Sequence, residues 1–260
     1  MHASFNLDPK QEKWSEFLST GRTIHKNNKA IIENELDRFK NADDVLQAED
    51  IIKNWFPKIE ADVFLSHSHK DEDLIIGLAG WLKENFGLKS FIDSEVWGYA
   101  DNLLKVIDDN YCKNKLEKTY NYNLRNRSTS HVHMMLSTAL TEMIDRCECI
   151  IFVNTQNSFT PVDYLNNEGR TESPWIYSEI AMTRMIRQRT PEEHRPVPTM
   201  DSVSASLEHM TESRQLRISY PAELFHLTQL STRDLNRWQE AEKLKNSRHP
   251  LDSLYKMKRA

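Results

Sequence analysis

Between Asp62 and Asp93 the chain spells strand, helix and strand within about thirty residues, an order that leaves few topologies open. Asp62-Val63-Phe64-Leu65-Ser66 is a short β-prone run, and the polar loop His67-Ser68-His69-Lys70-Asp71-Glu72-Asp73 follows it. A helical period then carries Leu74, Ile75, Leu78, Ala79 and Leu82 and ends near Phe86-Gly87. Glycine belongs there, because helices commonly close on a left-handed residue that has no Cβ to clash. Leu88-Lys89-Ser90-Phe91-Ile92-Asp93 reads as the next strand. Strands joined in this way are parallel, with a right-handed crossover.

Downstream, Ser94-Glu95-Val96-Trp97-Gly98-Tyr99 reads as a loop carrying two aromatics, and Leu103, Leu104, Val106 and Ile107 as a short helix. Residues 112–130 are polar and read as a surface insertion. A helix over His131–Arg146 turns Met134, Met135, Leu136, Ala139, Leu140, Met143 and Ile144 inward. The apolar run at 148–154 is a buried strand, and a helix opens at Ser173-Pro174-Trp175-Ile176-Tyr177-Ser178-Glu179-Ile180 and runs through Ile186. Residues 190–215 form a connection. Leu216–Tyr220 reads as a fourth strand, residues 224–230 hold a fifth, and Thr232–Leu244 is the last helix. The alternation predicts an α/β fold: a flavodoxin-like three-layer sandwich with a mostly parallel five-stranded sheet over residues 60–245. Residues 8–56 show a helical period without a strand signal, in Trp14, Phe17, Leu18, Ile31, Ile32, Leu36, Phe39, Leu46, Ile51, Ile52 and Trp55. Residues 1–59 are therefore expected to be an α-helical N-terminal extension, and 246–260 a C-terminal tail.

Charge and composition exclude some functions. A net charge of −5, with the cations scattered, argues against a general phosphate-backbone binder, so no nucleic-acid partner is expected. Lys113, Lys115, Lys118, Arg125 and Arg127 with Tyr120 and Tyr122 mix basic and aromatic residues, and read as a solvated insertion. No apolar run approaches the ~20 residues of a membrane span, and the first residues lack the apolar stretch of a signal peptide. The three cysteines, Cys112, Cys147 and Cys149, form no CxxC and read as reduced thiols. A cytoplasmic protein without a membrane partner is the expectation. His67, His69, His131 and His133 lack the carboxylate or cysteine spacing of a metal site, so no metal is expected.

Chemistry concentrates in the Ser173–Ile180 stretch. Trp175 and Glu179 are four residues apart on a helix, so both project from one face. An aromatic plate beside a carboxylate, beyond a strand end, suits a ring-bearing substrate whose cleavage leaves a cation. Open α/β sheets bind ligands at that edge.

Three motifs together resemble the Toll/interleukin-1 receptor (TIR) domain family, over residues 60–245. Asp62-Val63-Phe64-Leu65-Ser66-His67-Ser68 with Asp71 is similar to the family's first strand and loop. Phe91-Ile92-Asp93 is similar to the second strand leading into the BB loop. Ser173-x-Trp175-x-x-x-Glu179-Ile180 is similar to the Trp-x-x-x-Glu motif on the helix after the third strand. The resemblance implies cleavage of the nicotinamide–ribose bond of NAD, with NAD as substrate and no further cofactor. It makes Glu179 the catalytic residue and Trp175 a wall of the pocket. Ser66, His67 and the following loop with Lys70 would line the nucleotide site, as would Asp93 and the aromatic loop after it, Trp97 and Tyr99. Lys70 and Arg184 are candidates for the diphosphate, with ordinary surface charge as the alternative. Expected partners are a second copy of the chain through TIR–TIR contacts and an effector that reads the nucleotide product in bacterial antiviral defence. Two other readings stand beside this one: a non-enzymatic TIR association module, and a related nucleoside-processing fold such as a deoxyribosyltransferase.

Overall fold

A computed structural model of the chain describes residues 1–10, 14–28, 39–40, 46–56, 59–114, 119–163, 168–195, 220–244 and 247–259. The strands are β1 (Ala3–Asp8), β2 (Val63–Ser66), β3 (Ser90–Ile92), β4 (Cys149–Val153), β5 (Thr160–Asp163), β6 (Glu168–Thr171), β7 (Tyr220–Ala222) and β8 (Thr228–Ser231). The helices are α1 (Leu18–Asn28), α2 (Ala48–Trp55), α3 (Glu72–Phe86), α4 (Ser94–Ile107), α5 (Tyr122–Arg146), α6 (Pro174–Met185), α7 (Pro191–His194), α8 (Thr232–Lys243) and α9 (Pro250–Arg259).

Five strands form one sheet in the order β3-β2-β4-β1-β8, and every pairing in it is parallel. A parallel sheet is covered on both faces, so its strands are apolar on both. Phe64, Phe91, Ile150 and Phe152 join one core with residues of α2, α4, α5 and α6. Val63, Leu65, Ile92, Ile151 and Val153, with Phe5, Leu7 and Leu230, join a second core with α3, α8 and α9. The result is the expected three-layer α/β sandwich. Position by position the sheet has the flavodoxin order, with one substitution: the fourth place is taken by the N-terminal strand. The chain leaves β2 towards β3 on one side and reaches β4 on the other, so the switch point lies between β2 and β4.

Residues 1–59 are thus not an extension outside the α/β unit. β1 is an inner strand, with Ala3–Leu7 opposite Cys149–Val153 on one side and Phe5–Asp8 opposite Thr228–Ser231 on the other. Its sequence hides this, because Ser4 and Asn6 alternate with Phe5 and Leu7 and give a polar-looking stretch. Asn6 is buried, and its amide donates to Gln229 Oε1 at 3.2 Å. Helix α1 packs on α3 through two glycines. A methyl group at Gly80 would collide with the Phe17 carbonyl oxygen, and one at Gly21 with that of Ile76. Gly80→Ala is therefore expected to destabilise the fold by about 1–3 kcal/mol. A lower urea midpoint at unchanged slope would register it; an unchanged midpoint would show that the helices separate freely.

Residues 246–260 are likewise more than a tail. Leu251, Leu254 and Tyr255 of α9 are buried, and Asp252 and Lys258 form ion pairs with Arg195 and Asp234 at 2.8 and 3.0 Å. Other boundaries move as well. Residues 94–99 begin α4 and are not a loop, because the Asp93 side chain accepts from Ser94 N and caps the helix at once. Helix α5 begins at Tyr122, within the expected insertion, capped by Asn121. Met134, expected inward, is exposed. β5 and β6 intervene between β4 and α6, and β7 joins them in a small antiparallel sheet that takes up Tyr220, the end of the expected fourth strand. The expected fifth strand is β8. Residues 216–219 and the stripe Ile31, Ile32, Leu36 lie outside the described residues.

Candidate functional site

The carboxyl ends of β2 and β3 meet the inward face of α6 beside the switch point. β2 ends on Ser66, with His67 next; β3 ends on Ile92, with Asp93 next. Helix α6 is started by Ser173, whose hydroxyl accepts from Ile176 N at 3.3 Å, and by Pro174, which needs no backbone donor in the first turn. That start fixes the rotation of the helix and turns Glu179 inward.

Four polar side chains meet there. Ser66 Oγ donates to Glu179 Oε2 at 2.6 Å. His67 Nδ1 lies 2.5 Å from Asp93 Oδ1, and the His67 backbone N–H donates to Asp93 Oδ2 at 3.4 Å. Asp93 is held in turn by its own backbone N–H, which donates to Leu65 O at 3.2 Å. Glu179 and Asp93 are 0 % exposed, and Ser66 and His67 1 %. Glu179 Oε1 is buried without a hydrogen-bond partner among the described residues.

Burial raises the Glu179 carboxyl well above the usual carboxylate range; the Asp93 charge adds to this, and the Ser66 hydrogen bond opposes it. Burial alone would lower His67, but the adjacent Asp93 outweighs it and the net direction is upward. Burial thus favours the neutral form of Glu179, and the neighbouring Asp93 favours the charged form of His67. Both shifts have the same consequence for stability. A folded-state pKa above its unfolded value gives stability that is present below the unfolded pKa and is lost as pH rises through the folded one. Glu179→Gln, which stays neutral and can accept from Ser66, is expected to be more stable than the wild type at pH 7. The gap should close as pH falls towards the ordinary Glu value of about 4.3. Denaturant midpoints at pH 7 and pH 4.5 read it; a variant less stable at pH 7 would refute the neutral-carboxyl assignment.

Around this quartet lies a more open rim. Trp175, half-buried, meets the edge of His133 at 5.6 Å between ring centroids and 89° between planes. Asp101 is pushed up by crowding around its carboxyl, with His133 and His69 pulling the other way. His69 is pushed down by the same crowding, opposed by Asp93. His69, Asp101 and His133 thus form a polar border beside Trp175. The sequence did not single out Asp101 or assign His133 to this site. Reading 94–99 as a loop left the phase of α4 open, and with it the side on which Asp101 falls.

Ser66, His67, Asp93 and Glu179 are therefore brought together, with Trp175 one helical turn before Glu179 on α6. Lys70 is exposed in the 3-10 turn His69–Asp71. Tyr99 is not a loop aromatic: it is buried in the core, its carbonyl accepting from Trp55 Nε1 at 2.9 Å, and it offers no open face to a ring. Trp97 lies in α4, and its side chain is outside the described residues. Arg184 pairs with Glu223 and lies over the Phe225 ring at 4.8 Å, which ties it to β7 and its loop.

None of the four residues lines the cavity of about 480 Å³ between α2 and α5, which is bordered by Leu46, Ile51, Ile52, Ile107, Met134 and Met135. Among the described residues no group of three or more His, Cys, Asp or Glu could hold a metal ion, and no helix is long and apolar enough to cross a membrane. No protein-family model, curated protein or solved structure matches the chain.

Proposed function

We propose that the chain cleaves the nicotinamide–ribose bond of NAD, as the TIR resemblance implies, with Glu179 as the catalytic carboxylate. The observation that carries this reading is the position of Glu179: it lies at the switch point of a parallel sheet, hydrogen-bonded to Ser66 and one helical turn beyond Trp175. Nicotinamide leaves a cationic ribosyl–pyridinium bond as a neutral molecule, so the leaving group needs no proton. The work falls on stabilising an oxocarbenium-like ribosyl cation, for which a single desolvated carboxylate suffices. A pyridinium cation beside Glu179 favours its ionised form, so substrate binding expels the proton that burial and Asp93 retain at rest. Trp175 supplies an aromatic wall, and Ser66 fixes the carboxyl by its hydrogen bond. An ADP-ribose-derived signal or loss of NAD in bacterial defence, with assembly through TIR–TIR contacts, is the wider role this activity would serve.

Purified protein incubated with NAD, followed by chromatography for nicotinamide, ADP-ribose and cyclic isomers, tests the reading with Glu179→Ala alongside. Undiminished turnover in the variant would remove Glu179 from the chemistry. One observation favours a second reading. A carboxyl held neutral is suited to protonate a neutral leaving base, as a nucleoside-processing enzyme requires. Nucleobase release from deoxynucleosides, without nicotinamide release from NAD, would select it.

A further inference from the structure

The loops that leave β2 and β4 are tied across the switch point by one side chain. Asp71 occupies the N-cap position of α3, where an aspartate ordinarily accepts from its own helix, yet it makes no such bond. Its carboxylate reaches the β4 loop instead, 84 residues away at Thr155. Thr155 Oγ1 donates to Asp71 Oδ2 at 2.6 Å, and Asn157 Nδ2 donates to Asp71 Oδ1 at 2.7 Å. The β4 side of this tie is itself well fixed. The backbone N–H groups of Asn157 and Ser158 donate to Thr155 Oγ1 at 3.1 and 3.3 Å, and the buried Ser158 donates to Val153 O at 3.0 Å. On the β2 side, the segment ending at Asp71 begins with Ser66 and His67, two of the four residues that meet at the switch point.

We propose that Asp71 is a positioning residue that latches the β2 and β4 loops together over Glu179, and that the site admits substrate when this latch parts. Three observations lead there. Glu179 is 0 % exposed, so no substrate reaches it in this arrangement. The residue hydrogen-bonded to it, Ser66, is the last of β2 and leads directly into one of the two latched loops. The latch lies at the surface, with Asp71 and Thr155 half-buried and Asn157 exposed, so water can take over its hydrogen bonds when it opens. A carboxylate that joins two loops while leaving its own helix end unbonded serves the loop arrangement more than the helix.

Hydrogen–deuterium exchange of the protein without nucleotide tests the latch independently of any activity. Asp71→Ala is expected to speed exchange about tenfold in both 66–71 and 153–158, while β1 and β8 stay protected. Asn157→Ala removes one bond from an exposed position, so its fold is secure even if Asp71→Ala fails to fold. It should give a smaller increase, about threefold, in the same two segments. Unchanged exchange in Asn157→Ala, or an increase confined to one loop, would overturn the proposal. The second readout rests on the NAD reading. A latch that restricts access raises the apparent dissociation constant to the intrinsic value divided by the fraction of open protein, so Asp71→Ala should lower KM. Because the variant also loosens Ser66 and His67, kcat should fall with it. A raised KM would show that Asp71 is merely structural. If the wild type leaves NAD intact while exchange responds as described, the latch stands and the substrate assignment alone fails.

Discussion

A chain beginning at residue 60 is expected not to fold. Removing residues 1–59 takes an inner strand from the sheet, leaving β4 and β8 with no partner between them and two rows of backbone donors and acceptors open. It also removes Phe5 and Leu7, both in the core beneath α3 and α8, where each buried side chain contributes ~1.5–3 kcal/mol. Helix α1, closely seated on α3 through Gly21 and Gly80, goes as well. The combined loss is comparable to the whole stability of a domain, ~5–15 kcal/mol. The truncated chain should be insoluble or lack a cooperative thermal transition, as judged by size-exclusion chromatography and circular dichroism. A soluble monomer with a sharp transition would show that the first segment is an appendage, as the helical periodicity suggests.

That contrast marks how far the sequence can be read. The unit from Asp62 to Asp93 was legible because a parallel strand buried on both faces is a continuous apolar run, and because Gly87 marks the end of α3 in its left-handed turn. The run at β4 was legible for the same reason. β1 was not, since its buried polar position, Asn6, finds its partner only on β8, more than two hundred residues away. Periodicity within a short window carries no sign of such a partner. α9 was hidden similarly: its amphipathic stripe Leu251, Leu254, Tyr255 is short, and its ion pairs are with Arg195 and Asp234.

The site follows the same division. Glu179 and Trp175 share a helix and are related by local geometry, so they could be paired from spacing alone. Ser66 and Asp93 follow from the strand ends, where an α/β sheet places its ligands. Asp71, Asp101 and His133 depend on how loops and helices from different layers meet. Tyr99 went the other way: its aromatic character suggested a stacking plate, but once 94–107 is helical it falls on the buried side of α4.

On the proposed NAD reading, Glu179→Gln is expected to reduce NAD cleavage by at least about a thousandfold, equivalent to ~4 kcal/mol of transition-state stabilisation. The magnitude follows from the environment. A carboxylate facing a developing cation inside a dry core acts in a low dielectric, where the loss of its charge is felt far more than in water. The variant keeps the shape of the side chain and an acceptor for Ser66, so unfolding cannot account for the loss. Its expected gain in stability at pH 7 makes that separation stronger: one substitution should raise the denaturant midpoint and abolish turnover together. The pH profile supplies the sign. Glu179 is neutral in the free protein well above the usual carboxylate range, and only the anion opposes the ribosyl cation. kcat/KM should therefore rise with pH through the ionisation of Glu179 and level off above it. Because the Asp93 charge is part of what holds the proton on Glu179, Asp93→Asn should move that rising limb to lower pH. A limb that stays in place would mean that the Asp93 charge does not hold that proton, and a rate that falls as pH increases would mean that Glu179 works as an acid. The nucleoside reading would then gain what the NAD reading loses.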